Sequence, residues 1–174
     1  FNSKNIRYRV LEGEVEMLDN KTIAGYNRVR GWVARYFYYM IVFDRPYTVK
    51  KELPQEEGEK AKRFILEFDL KEGESVQVKV ALSTVGIEGA KMALDKENPG
   101  WNFESIKAET NGKWNDMLSL VEVEGTEEEK MNFYTSMYHL FIQPTNIADI
   151  DGKYRGANDS IFVSSTGYYY STFS

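Results

Sequence analysis

Residues 76–100, VQVKVALSTVGIEGAKMALDKENPG, change character midway, and that change decides the fold class. Val76, Val78, Val80 and Leu82 alternate with polar or small residues, the period of a strand with one face on a core. From Gly86 the segment IEGAKMALDKEN reads as a short helix. Asn98-Pro99-Gly100 closes it, because Pro99 cannot continue a helix. Strand text precedes this junction and helix text follows it, so the chain belongs to the α+β class.

Upstream, the first 85 residues read as an antiparallel β-sandwich portion. Ile6, Tyr8 and Val10 alternate, and Asp19-Asn20 suits a turn because both residues tolerate left-handed backbone. Ile23 to Trp32 returns, with Gly25 and Gly31 marking bulges or tight packing. Tyr36–Phe43 (YFYYMIVF) is continuously apolar or aromatic, as for a strand covered on both faces. Residues 50–62 (KKELPQEEGEKAK) read as a charged exposed loop. Phe64, Leu66, Phe68 and Leu70 alternate, and KEGES at 71–75 reads as a hairpin link to the Val76 run.

Downstream, Asn102 is placed to cap a helix with Ser105 in its first turn. Phe103, Ile106, Trp114, Met117 and Val121 fall on one face, and Gly112 weakens the middle. Thr126 and Glu129 stand at capping-box spacing. The helix they start is expected to run to about Ile142, with Met131, Tyr134, Met137, Tyr138 and Phe141 inward. Pro144 stops it, and a Gly-, Asp- and Ser-rich loop leads to the aromatic end YYYSTFS. The organisation expected is a sandwich portion at 1–85, a helical linker at 86–125 and the start of a helical domain at 126–174. Phe1 and the terminal aromatic run both read as cuts through a longer protein.

The 174 residues carry a formal charge of -5, so a phosphate backbone would be repelled on average and nucleic acid is not an expected partner. No apolar run is long enough for a membrane span. Cysteine is absent, which excludes disulfides and thiolate chemistry, and there is one histidine, which leaves a His-rich zinc site or a histidine-based triad hard to build. No Gly-rich phosphate loop, G-x-S-x-G or H-E-x-x-H occurs.

The segment with most chemistry is 149–156. Asp149, Asp151, Tyr154 and Arg155 put two carboxylates, a ring and a cationic fork beside a Gly turn. Alternate oxygen ligands suit Ca²⁺, but no Glu follows Glu129, so an EF-hand loop fails. A structural turn, a substrate-pocket or domain-interface loop, and a metal site all remain open. His139 lies in the apolar helix as a core group or helix contact. Trp32, beside Gly31, either packs in the core or stacks on a sugar ring. Asn20-Lys21-Thr22 and Asn158-Asp159-Ser160 match the glycosylation pattern, a common chance match. No carboxylate pair can be assigned as acid and base from spacing.

The order and wording of the segments resemble one family. GYNRVRGW at 25–32, KEGESVQVKVALSTVGIEGA at 71–90 and NPGWNFESIKAETNGKW at 98–114 carry the resemblance. So do EEEKMNFYTSMYHLFIQPTNIADIDGKYRG at 127–156 and the closing YYYSTFS. That family is the glycoside hydrolase family 92 α-mannosidases. The resemblance implies an N-terminal β-sandwich, linker helices and an (α/α)6 catalytic barrel, of which this chain carries the first helix. It implies an exo-acting, calcium-dependent, inverting enzyme that releases mannose from mannose-containing oligosaccharides or N-glycans, with α-1,2 linkages the expected preference. The catalytic carboxylates and calcium ligands would lie beyond Ser174, so no catalytic or metal residue is expected in this chain, which alone is expected to be inactive. It would pack against the rest of the catalytic domain. A periplasmic or secreted location is expected, with no signal peptide in this chain. Three positions depart from the family's usual wording: Gln143-Pro144-Thr145-Asn146 for Ala-Pro-Asn, Lys153 for Arg, and Phe162-Val163 where a His-Gln pair is common. The alternative is a non-catalytic carbohydrate-binding or structural β-sandwich module.

Overall fold

A computed structural model describes residues 9–31, 34–55 and 60–171. Ile6, Tyr8 and Trp32 lie outside the described residues. The strands are β1 (Arg9–Met17), β2 (Thr22–Arg30), β3 (Ala34–Phe43), β4 (Tyr47–Leu53), β5 (Arg63–Phe68) and β6 (Val78–Ser83). Helices α1 (Ile87–Glu97), α2 (Phe103–Leu118) and α3 (Glu127–Phe141) follow. Four short strands, β7 (Thr145–Asn146), β8 (Lys153–Arg155), β9 (Ile161–Val163) and β10 (Tyr170–Ser171), come last. Strands followed by helices bear out the α+β class, but the tail is two short antiparallel pairs rather than a plain loop.

The main sheet is antiparallel, in the order β1-β2-β3-β6, and β4-β5 is a separate ladder. Asp19 makes the first turn by accepting the Lys21 N–H at 2.6 Å, and this bond holds its carboxyl below the usual value. Tyr47 locks the second ladder to that turn. Its backbone N–H donates to the Asn20 carbonyl at 2.7 Å and its hydroxyl to the Asp19 carbonyl at 2.8 Å. Gly25 is a place of tight packing, not a bulge. A Cβ there would collide with the Glu14 carbonyl and stand 2.6 Å from Tyr39 Oη. The irregularity in this pair of strands lies in β1 instead, between Val10 and Glu12.

The core sits where α1 crosses the sheet. Ala24, Met40 and Ala81 lie opposite one another on β2, β3 and β6, so they share a face. Ala90 and Leu94 of α1 pack on them, with Val42, Ile87 and Ala93 at the margin. Alanine at 24, 81 and 90 keeps both layers thin, so the helix lies close to the sheet.

Four expectations need correction. The alternation in β6 is present, but the apolar set faces outward: Val78, Val80 and Leu82 are 53, 57 and 61% exposed while Ala81 and Ser83 are buried. The small residues are inward because α1 leaves room for nothing larger. The link at 71–75 is a turn, with Glu74 N–H donating to the Lys71 carbonyl, but it does not make a hairpin. β5 pairs with β4 and β6 with β3, so this turn carries the chain from one ladder to the other. β3 is not covered on both faces by the described residues; Met40 is buried while Phe37 is exposed. Residues 50–53 are strand, not loop. Their charges sit on an exposed ladder, where Lys50 pairs with Glu67 at 2.7 Å.

Contacts divide the chain into two compact units. One runs to Pro99 and takes in Ile147–Tyr169; the other is Gly100–Asn146 with the chain from Tyr170. In the second unit, Asn102 caps α2 by accepting the Ser105 N–H at 3.0 Å. Thr126 and Glu129 form the expected capping box on α3. Trp114 of α2 meets Tyr138 of α3 at 4.5 Å between ring centroids. The inward set is smaller than the periodicity indicates: Met137 is buried, whereas Met131 and Tyr138 are exposed. Two helices alone bury little: Tyr138 stays 40% exposed even though it meets Trp114 across the seam, and Met131 is 67% exposed.

Candidate functional site

The segment singled out in the sequence, 149–156, folds back onto the sheet unit. β8 and β9 pair antiparallel, Tyr154 opposite Phe162 and Arg155 opposite Ile161. Two side chains pin this hairpin. Asp149 accepts a 2.6 Å hydrogen bond from Ser83 Oγ at the end of β6. The same Ser83 oxygen accepts the N–H groups of Val85 and Gly86 at 2.9 and 3.2 Å, where the chain turns into α1. Gly89 makes this meeting possible: a Cβ there would collide with the Asp149 carboxylate and stand 2.6 Å from Ser83 Oγ.

Arg155 is the second pin. Its Nε donates to the Thr84 carbonyl at 2.7 Å and Nη2 to the Val85 carbonyl at 3.1 Å. Nη1 donates to the Asp159 carbonyl at 3.0 Å and lies 3.3 Å from its carboxylate. The guanidinium lies over the rings of Tyr36 and Tyr38, 5.1 and 5.9 Å from their centroids, and 14% of the side chain is exposed. A planar cation with donors along both edges suits three carbonyls and two ring faces at once.

The electrostatics follow from this packing. Burial pushes the Asp149 carboxyl up, and the Ser83 bond opposes that shift in part. Asp151 goes the other way: its hydrogen bond from the Lys153 ammonium, 2.6 Å away, holds it low and in turn raises Lys153. Tyr36 is raised chiefly because its hydroxyl donates to Glu12 at 2.8 Å.

Opposite in direction to Arg155 along β8, Tyr154 carries an aromatic stack. Its ring lies 3.8 Å from that of Tyr169, nearly parallel, and 5.7 Å from Phe162. Phe162 and Tyr169 are exposed.

Asp149, Asp151, Tyr154 and Arg155 are thus brought together in one hairpin. His139 is on α3 in the second unit, exposed and in edge contact with Tyr138. It is not a core group within this chain, because α3 buries only Met137. Ser83, Gly89, Tyr36, Tyr38 and Tyr169 belong to this arrangement and were not singled out as site residues in the sequence, whereas Phe162 was marked there as a departure from the family's wording.

The described residues do not fit a calcium site. No group of three or more His, Asp or Glu side chains converges among them. Asp149 is engaged by Ser83 and Asp151 by Lys153. No helix among the described residues is long and apolar enough to cross a membrane.

Comparisons with known proteins agree with this architecture. Residues 89–174 match the sequence pattern of the glycosyl hydrolase family 92 catalytic domain. No curated protein matches the chain. Among solved structures, the chain is similar to the family GH92 alpha-mannosidase BT3965 from Bacteroides thetaiotaomicron, with a TM-score of 0.81 and 27% identity over 94% of this chain and 24% of that one. A structure of the GH92 family glycosyl hydrolase ccman5 has a TM-score of 0.78 and 24% identity over 96% of this chain and 24% of that one. The family GH92 inverting mannosidase BT2199 from Bacteroides thetaiotaomicron VPI-5482 shares the fold, with a TM-score of 0.76 and 20% identity over 91% of this chain and 23% of that one. The chain spans about a quarter of the length of these structures. Its sheets and three helices correspond to a β-sandwich with part of a helical barrel.

Proposed function

We propose, from the match of residues 89–174 to the catalytic domain of glycosyl hydrolase family 92, that the chain forms part of an inverting exo-α-mannosidase acting on mannose-containing oligosaccharides or N-glycans, with α-1,2 linkages preferred. The observation that carries this reading is the catalytic-domain match over residues 89–174 on a backbone shared with an alpha-mannosidase. In this reading the chain supplies the end of a sandwich at 1–85, a helical linker at 86–125 and the start of the catalytic barrel at 126–174. The protein is exported and packs against the remainder of its catalytic domain.

Inversion asks for a carboxylic acid that protonates the leaving oxygen and a carboxylate that activates water on the opposite face. The two stand roughly 6.5–9.5 Å apart to admit that water. The carboxylates of the hairpin are already engaged, Asp149 by Ser83 and Asp151 by Lys153. Following the family resemblance, we assign acid, base and calcium ligands to polypeptide outside this chain. The hairpin's part is to line the sugar pocket or the domain junction.

The test compares the 174-residue chain with a longer polypeptide that completes the barrel, each given α-1,2-mannobiose with Ca²⁺ or with a chelator. Mannose release by the longer polypeptide, lost on chelation, and none by the short chain is the expected result. Release by the short chain alone would overturn the division of labour, and saturable sugar binding without any release would favour the carbohydrate-binding alternative.

A further inference from the structure

The hairpin 147–169 combines two findings. By sequence it lies within the catalytic-domain match, and by contacts it belongs to the sheet unit. Two elements of the sheet unit hold it. Asp149 is bonded to Ser83 at the mouth of α1. Arg155 is bonded to the next two carbonyls, Thr84 and Val85, and covers two tyrosine rings of β3. The partners of both pins are consecutive, residues 83, 84 and 85, so a three-residue corner receives the whole hairpin.

Successive side chains on a strand point to opposite sides. Arg155 goes into the sheet unit, so its neighbour Tyr154 is turned away from it, into the stack with Phe162 and Tyr169. The orientation of that stack is therefore fixed by what Arg155 grips. We propose that Arg155 is a positioning residue for the sugar site: through β8 it sets the Tyr154 stack, while the Ser83–Asp149 bond prevents the hairpin from pivoting about it. This rests on the mannosidase reading only in supposing that the stack meets substrate; the anchoring itself does not depend on it.

The two halves are tested separately in the longer, barrel-completing polypeptide. The first readout is amide hydrogen exchange. Arg155→Met keeps the stem and removes the fork, and charge-assisted hydrogen bonds of this kind are strong enough that exchange within 147–169 should rise by about tenfold. Protection in β2 and β3 should be unchanged. Arg155→Lys, which keeps the charge but cannot span two carbonyls, should resemble Arg155→Met rather than the parent. The second readout is kinetics on an α-mannoside, where the KM should rise by about tenfold with kcat altered less than twofold, as for lost contacts that bind ground and transition states alike.

Unchanged protection in the hairpin of a folded Arg155→Met protein would overturn the anchor. A uniform rise in exchange across the sheet would make Arg155 a general stabiliser and would also overturn it. Raised exchange with KM unmoved would overturn the link to substrate. If Arg155→Met does not fold, Arg155→Lys carries the exchange test of the anchor, and Gly89→Ala, which pushes the Asp149 carboxylate off Ser83, tests the second pin separately. If the parent polypeptide releases no mannose, the mannosidase reading fails while the exchange measurement still decides the anchor.

Discussion

Ser83 sits at a corner where three backbone or side-chain groups need one small polar partner. Its hydroxyl receives two N–H groups at the start of α1 and gives its proton to Asp149. Gly86, at the N-cap position of α1, leaves the helix without a side-chain cap; Ser83 instead ties down the backbone just before it, at Val85 and Gly86. Asp149 is the group most affected. Its carboxyl lies above the ordinary value because burial disfavours the anion. A raised carboxyl favours the folded state most below the ordinary Asp value of 3.8, and that contribution is lost as pH rises through the folded value. Asp149→Asn imitates the protonated form and leaves Ser83 an acceptor. The variant should therefore gain stability relative to the parent as pH rises toward neutrality, with the two converging in acid. Thermal unfolding of both proteins across that range is the check, and parallel curves would contradict the assignment. Asp149 and Arg155 were legible as candidates because unlike charges and a glycine crowd one short stretch. Ser83 was not, because 66 residues separate it from Asp149 and a lone serine at a strand end has no pattern.

Elements differ in how much of them is local. The starts of α2 and α3 were readable because a cap is a contact over three residues, Asn102 to Ser105 and Thr126 to Glu129. Thr126→Ala should cost about 1 kcal/mol of α3 stability, visible as earlier loss of helical signal on heating, while the sheet unit is unaffected. An unchanged transition would mean the cap is replaced by water. β6 shows the opposite case. Its period of two was readable, but which face is buried depends on α1 and on the thin alanine layer it needs. The turn at 71–75 likewise has good local chemistry, and nothing local says that β5 and β6 pair with different partners. Residues 50–53 carry charge and still form strand, since an exposed ladder asks for backbone pairing rather than apolar side chains.

At the scale of the whole molecule, the chain leaves many large apolar side chains outside. Val78, Val80 and Leu82 of β6, Leu120, and Met131 and Leu140 of α3 are all well exposed. Scattered exposed apolar residues are ordinary, but a row along one strand marks a surface that meets something else. Such a row is in keeping with a chain that spans about a quarter of its solved relatives, and with the proposal that it packs against further catalytic-domain structure. Function at this scale was legible only through the family wording of whole segments, because no pair of carboxylates in the chain could be assigned from spacing. Proton NMR of the first sugar released tests the mannosidase reading most directly. A polypeptide that completes the barrel, given an α-mannoside and Ca²⁺, should produce β-mannose first, with the α anomer appearing only by later mutarotation. Initial α-mannose, or no mannose at all, would contradict the account.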